Sequence, residues 1–255
     1  MVIYEVLYLP VGQMTKSGGA PVIGMPAQMD PGSDQQYLSR NYSDAVASEG
    51  GVPVIIPLIT ATELVEKIAG TLDGILLTGS QSDVEPGLYH QPRSNTCGPA
   101  QPLRDQMDFL LLESAFKRKT PILAICFGIQ SLNVFRGGSL VQDISTAINT
   151  PIRHSRLNPS DRPSHEIAIA SGSLLEEIAG GHEFTVNSTH HQSVERTGRG
   201  LEAIAYAGDG VIESVSGIMN DHWILGVQWH PEKSYSCDEL SRKIFHHFLA
   251  RCRAV

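Results

Sequence analysis

Short β-branched and apolar runs alternate with segments of helical period through most of this 255-residue chain. That alternation restricts the fold to βα units wound around a mostly parallel sheet, which makes the class α/β. Residues 21–26, 52–56 and 75–78 read as strands, and residues 37–49 as a helix ended by Gly50-Gly51. Thr60-Ala61-Thr62-Glu63 has the spacing of a capping box, in which the hydroxyl and the carboxylate each satisfy an orphan amide, ahead of a helix reaching about Ala69. A further helix is expected over 103–117. Residues 121–125 are short and wholly apolar, as a central strand covered on both faces requires, and they run into Cys126.

Downstream, residues 201–206 and 211–215 flank Ala207-Gly208-Asp209-Gly210, a turn composition that closes an antiparallel hairpin, so the sheet is expected to be mixed. Ser236-Cys237-Asp238-Glu239 reads as the cap of a final helix with Leu240, Ile244, Phe248 and Leu249 along one face. Between the strand at 75–78 and the helix at 103–117 lies a long polar stretch, 79–101, expected to wall or cover a site. Without internal repeats or low-complexity linkers, residues 20–255 read as one domain, with 1–19 as an N-terminal extension.

Composition removes several function classes. Nineteen Lys and Arg against 27 Asp and Glu give a net charge of −8, with no basic stripe for a phosphate backbone, so nucleic acid is not an expected partner. No apolar run approaches the roughly 20 residues of a bilayer-spanning helix, and no membrane partner is expected. The cysteines at 97, 126, 237 and 252 form no C-x-x-C pair, which argues against structural zinc or a disulfide framework. An acidic residue, Glu5, in place of a basic leader makes the cytoplasm the expected compartment.

Two segments carry chemistry. Ala124-Ile125-Cys126-Phe127-Gly128 places a cysteine at a strand-to-helix junction with small residues two before and two after it. That is the pattern of a nucleophile elbow, where a tight turn leaves no room for bulky flanking side chains. A thiol there sits at a helix N-terminus, which favours thiolate, and the Phe127 amide would face a developing oxyanion. The competing reading is a buried cysteine that merely ends a core strand. The second segment, Leu225-Gly226-Val227-Gln228-Trp229-His230-Pro231-Glu232, reads as a strand whose alternation puts His230 and Glu232 on one side. A His that shuttles a proton needs a carboxylate to fix its tautomer, although His-Pro-Glu at a strand end also suits a plain turn.

Together these segments resemble the class I glutamine amidotransferase superfamily. Within it, Thr78-Gly79-Ser80-Gln81-Ser82-Asp83-Val84-Glu85-Pro86, Gly137-Gly138-Ser139-Leu140 and Val186-Asn187-Ser188-Thr189-His190-His191-Gln192 are similar to the γ-glutamyl-γ-aminobutyrate hydrolase branch, peptidase family C26. The resemblance implies a flavodoxin-like three-layer α/β/α sandwich and a Cys-His-Glu triad that hydrolyses γ-glutamyl amides through a γ-glutamyl thioester, without metal or organic cofactor. Carried onto this chain, Cys126 is the nucleophile, His230 the base and then acid, and Glu232 its orienting carboxylate. Backbone amides of Gly79, Ser80 and Phe127 form the oxyanion hole, while Gln130 and His190 contact a small γ-glutamyl substrate. Taken by itself, Gln130 would equally suit an exposed helix position. Phe127 stands where Arg is frequent in that branch, so the cleft wall is expected to lack a cation for a carboxylate on the leaving group. A homodimer is left open. The alternatives are a glutaminase subunit feeding ammonia to a separate synthase, and a silent binding protein, whose mark would be loss of Cys126, His230 or Glu232.

Overall fold

Ile122–Ile125 is a strand with all four residues sealed from solvent on both faces, in the computed structural model that describes residues 19–254 apart from Pro31, Pro159, Met219 and Asn220. The expected N-terminal extension falls, except for Gly19, outside the described residues.

In chain order the strands are β1 (Val22–Pro26), β2 (Gln28–Met29), β3 (Gln36–Tyr37), β4 (Val52–Ile56), β5 (Gly74–Leu77), β6 (Ile122–Ile125), β7 (Ser139–Val141), β8 (Ser164–Ile169), β9 (Glu183–Asn187), β10 (Ser193–Arg196), β11 (Leu201–Ala207), β12 (Ile212–Gly217) and β13 (Ile224–Val227). The helices are α1 (Arg40–Ser48), α2 (Thr62–Ala69), α3 (Pro102–Arg118), α4 (Phe127–Phe135), α5 (Ile144–Ala147), α6 (Leu174–Ala179), α7 (Pro231–Ser234) and α8 (Glu239–Cys252). The main sheet runs β4-β1-β5-β6-β13-β12-β11-β8-β9, parallel from β4 to β13 and antiparallel beyond, with β10 bridging β12 and β7. The two shortest strands, β2 and β3, form a separate antiparallel ribbon.

Strand alternation divides the core in two. Leu76, Leu123, Ile125, Leu225 and Val227 pack towards α1, α6 and α8. Ile75, Leu77, Ile122 and Ala124 pack towards α2, α3 and α4. This is the flavodoxin-like three-layer sandwich, with each buried Leu or Ile contributing about 1.5–3 kcal/mol. Among the described residues no helix is long and apolar enough to cross a membrane.

Three local expectations are corrected. The first helix starts at Arg40 rather than Tyr37, because Tyr37 pairs with Gln28 in the β2–β3 ribbon. The capping box at Thr60 does not form: Ala61 is the N-cap of α2, without a side-chain cap, and its carbonyl takes the Leu64 and Val65 amides. The last helix is capped by Asp238, whose carboxylate accepts the Ser241 N–H at 2.7 Å, and not by Ser236. Here the Cys237 and Asp238 amides still bond back to the Ser234 carbonyl, so the chain is released into α8 only after Asp238.

The β6–α4 junction depends on one missing side chain. A Cβ on Gly128 would lie 2.4 Å from the Leu77 carbonyl oxygen, which belongs to backbone and cannot give way. Gly128→Ala is therefore expected to lower the unfolding free energy by about 1–3 kcal/mol through overpacking. Urea denaturation measures this, and an unchanged midpoint would contradict the packing described.

Candidate active site

Three neighbouring parallel strands deliver the site from their carboxyl ends, β5 through Gly79, β6 through Cys126 and β13 through His230, where open α/β sheets commonly place ligands. Cys126 has φ 54° and ψ −105°, a conformation costly for a residue with a side chain. Its amide donates to the Val227 carbonyl at 2.9 Å, tying the elbow to β13. Because α4 begins at Phe127, the thiol stands at the N-cap before amides that have no acceptor within the helix.

His230 and Glu232 do meet, for a different reason from strand alternation. Strand β13 ends at Val227, His230 is the N-cap of the one-turn helix α7, Pro231 occupies its first position and Glu232 its second. The tight turn brings Glu232 Oε1 to 2.8 Å from His230 Nδ1, which therefore donates and leaves Nε2 on the edge of the ring away from Glu232, with the Cys126 sulfur near enough to act on the ring's charge. Burial opposes the charged ring, yet the Glu232 carboxylate and the Cys126 sulfur outweigh it and raise the pKa from 6.5 to about 9.

The surrounding cleft has a volume of about 500 Å³. Its wall includes Gln81, Ser82 and Asp83 from the long loop, which is ordered: Asp83 accepts the Gly98 amide and contacts His191 Nε2 at 2.8 Å. Gln130 lines the cleft but is buried, not exposed, and its amide nitrogen is engaged by the Gln192 carbonyl and Gln228 Oε1, each at 3.2 Å. His190 also lines the cleft, with Nδ1 on the Gln192 carbonyl at 2.9 Å and Nε2 turned towards buried Glu213. Of the three amides expected in an oxyanion hole, that of Gly79 is already engaged, donating to the Tyr42 hydroxyl at 2.9 Å. Ser80 and Phe127 both border the cleft beside Cys126.

The expectation of a cation-free wall is also corrected. The Phe127 ring is buried beneath the Arg104 guanidinium, 4.9 Å from its centroid, while Arg156 and Lys233 line the cleft. The absence of Arg at position 127 does not leave the wall uncharged, because two other segments supply a cation each.

Sequence reasoning missed three supporting residues. Tyr42, on α1, is buried with its hydroxyl accepting the Gly79 amide; burial and then the nearby Glu232 charge push its pKa well above the usual value. Asn187 clamps His230 in both directions, accepting its N–H at 3.1 Å and donating to its carbonyl at 2.8 Å. Arg104, paired with Asp108 at 2.8 Å, donates to the carbonyls of Thr78 and Ala27 and so fixes the ends of β5 and β1. Of the three, Asn187 alone lies in one of the motifs that carry the family resemblance. Tyr42 and Arg104 look like ordinary helix positions.

The family model of Peptidase C26 matches residues 21–232. The chain is 35% identical over 243 residues to the γ-glutamyl-γ-aminobutyrate hydrolase PuuD of Escherichia coli, covering 91% of this chain and 94% of that one. It is 33% identical over 213 residues to the provisionally named glutamine amidotransferase-like protein YvdE of Lactococcus lactis, covering 83% and 87%. A solved Thermoplasma acidophilum protein, provisionally assigned as a component of GMP synthase, has the same fold with TM-score 0.63 at 17% identity, covering 93% and 96%. Fold and site thus define a glutamine-amidotransferase-like hydrolase. The chain belongs to the peptidase C26 family.

The raised pKa of His230 has a measurable consequence. A folded-state value above 6.5 stabilises the fold fully below about pH 6.5, and that contribution is lost as pH rises through about 9. Glu232→Gln removes an anion that favours the imidazolium and should move the His230 midpoint to lower pH in an NMR titration. An unmoved midpoint would mean that Glu232 does not hold the charge.

Proposed function

We propose that this chain hydrolyses γ-glutamyl amide bonds, with Cys126 as nucleophile, His230 as proton carrier and Glu232 as the carboxylate that orients it. The observation carrying this reading is the strained Cys126 at the head of α4 beside a His230 whose other nitrogen is held by Glu232 at 2.8 Å. Membership of the C26 family and the similarity to PuuD support the substrate class.

In this reading the Cys126 sulfur attacks the γ-carbonyl carbon, and the thiol proton resides on His230. Charge develops on the carbonyl oxygen, where the Phe127 and Ser80 amides would receive it; such donors are worth about 2.7–4 kcal/mol each. The carbon–nitrogen bond then breaks as His230 gives its proton to the departing amine, leaving a γ-glutamyl thioester on Cys126. Water next attacks the thioester, losing a proton to His230, and glutamate departs as the thiol re-forms. Glu232 stabilises the imidazolium at each stage and holds the tautomer that leaves Nε2 towards the sulfur.

Arg156 and Lys233 in the cleft support a leaving amine that carries an acidic group, as γ-aminobutyrate does. Cys126→Ala is expected to abolish hydrolysis with the fold retained. His230→Ala should lower kcat/KM by several orders of magnitude, and Glu232→Gln by less, because a misoriented imidazole still accepts a proton. Steady-state rates on γ-glutamyl-γ-aminobutyrate test this, and wild-type rates in any of the three would refute the assignment.

A matched panel tests the leaving group. γ-Glutamyl amides with acidic amines should be preferred over neutral ones, and Arg156→Ala with Lys233→Ala should reduce that preference several-fold. The magnitude is that of exposed ion pairs, about 0.2–1 kcal/mol each. Equal efficiencies for acidic and neutral amines in the wild type would remove the two cations from the substrate site, and glutamine in the same panel measures any glutaminase activity.

A further inference from the structure

Behind the cleft wall, four buried side chains converge without hydrogen-bonding one another. They are His154 in the loop before β8, His165 on β8, His190 after β9 and Glu213 on β12. Their side chains are 0–4% exposed. Glu213 Oε1 lies 3.3 Å from His154 Nδ1, 3.3 Å from His165 Nε2 and 3.5 Å from His190 Nε2. None of these nitrogens, and neither Glu213 oxygen, has a hydrogen-bond partner.

The opposite edge of each ring explains why this arrangement needs something at its centre. His154 Nε2 meets the Asp209 carboxylate at 2.9 Å, His165 Nδ1 the Glu166 carbonyl at 3.2 Å, and His190 Nδ1 the Gln192 carbonyl at 2.9 Å. Carbonyls and carboxylates only accept, so each of those nitrogens carries the proton. In every neutral ring the other nitrogen therefore presents a lone pair, and all three lone pairs point towards an anionic carboxylate. Three lone pairs and a carboxylate facing one another repel. Protonating one ring would pair it with Glu213 but leave the lone pairs of the other two without a donor, and protonating all three would crowd three cations around a single carboxylate.

We propose that this cluster is a zinc site, with His154 Nδ1, His165 Nε2, His190 Nε2 and Glu213 as its ligands. A divalent cation turns the mutual repulsion into attraction, and the fixed far nitrogens are the supporting bonds that metal-ligating histidines require. Tetrahedral zinc with bonds of about 2.0–2.1 Å separates its ligand atoms by about 3.3–3.4 Å, the separation found here between Glu213 and the histidines. The four ligand atoms all lie within 4.8 Å of one another, so small ring rotations close the set. Three imidazoles and a carboxylate, all buried and with no cysteine, suit Zn²⁺ better than Mg²⁺ or Ca²⁺.

A closed set of four protein ligands makes the role structural and independent of the reaction assigned to Cys126. The ion would join β8 and β12 to two loops that line the cleft, since Ser155 and Arg156 directly follow His154 and Thr189 and His191 flank His190. It would therefore hold the wall on which the leaving amine rests.

Metal content of untagged full-length protein, purified from zinc-supplemented cells, tests the proposal. Elemental analysis should give on the order of one zinc per chain in the wild type and in Cys126→Ala, and far less in Glu213→Gln and His165→Ala. Protein stripped with a chelator and refilled with Co²⁺ should show the visible bands of a four-coordinate ion. A wild type without stoichiometric zinc, both as isolated and after dialysis against zinc, would overturn the assignment. So would zinc that survives in both ligand variants but is lost when Cys126 or the exposed Cys237 is replaced. The wild-type content and the cobalt spectrum decide the matter even if a ligand variant fails to fold.

Discussion

The backbone of Cys126 is held where an L-residue does not settle by itself, and the candidate site is organised around that constraint. Parallel pairing of β6 with β5 and β13 supplies the frame, with Ile125 opposite Val227 and Ala124 opposite Leu77. Gly128 then lets α4 approach the Leu77 carbonyl closely enough to turn the chain out of β6 at once. The same frame delivers Gly79 and the approach to His230. A Cβ on Gly79 would stand 2.9 Å from the His230 ring and 3.0 Å from the Tyr42 hydroxyl, so a bare position 79 leaves room for both beside Cys126.

Buried polar groups around this frame are paired in ways that fix position. Arg104 carries a full charge into the core, where removing one partner of such a pair is far costlier than the pair is worth. Its bonds to Asp108, Thr78 and Ala27 and its stacking on Phe127 link α3, β1, β5 and the elbow in one cluster. Tyr42 does the same from the other face of the sheet, joining α1 to Gly79, with the Glu232 charge near enough to raise its hydroxyl's pKa. Asn187 holds the backbone of His230 while Glu232 holds its ring, so both the place and the tautomer of the imidazole are set before substrate arrives.

Much of this is legible in the chain. Short, wholly apolar runs mark the central strands because both of their faces are covered, and the small residues flanking Cys126 mark the elbow because a tight turn leaves no room for larger ones. His230 and Glu232 pair as their spacing suggests, but through a different geometry: two-residue spacing suits a strand and also the first turn of a helix, and Pro231 at the first helical position favours the latter. Helix starts at Tyr37, Thr60 and Ser236 are misleading in the sequence because tertiary pairing and a preceding turn displace the local cap. Tyr42, Arg104 and the His154–His165–His190–Glu213 cluster are illegible for a different reason. Apart from Asp108, four residues after Arg104, and His165, eleven after His154, their partners lie more than twenty residues away, and nothing in local spacing announces a meeting across β8, β12 and two loops.

In the proposed reaction Cys126, poised by its backbone and by His230, carries the γ-glutamyl group. Acid quenching during turnover of a γ-glutamyl amide, followed by peptide mass spectrometry, would trap that thioester. A mass increase of one glutamyl residue is expected on the peptide containing Cys126, labile to hydroxylamine and absent in Cys126→Ala. An active enzyme with that adduct on Cys97, Cys237 or Cys252, or with turnover that persists in Cys126→Ala, would contradict it.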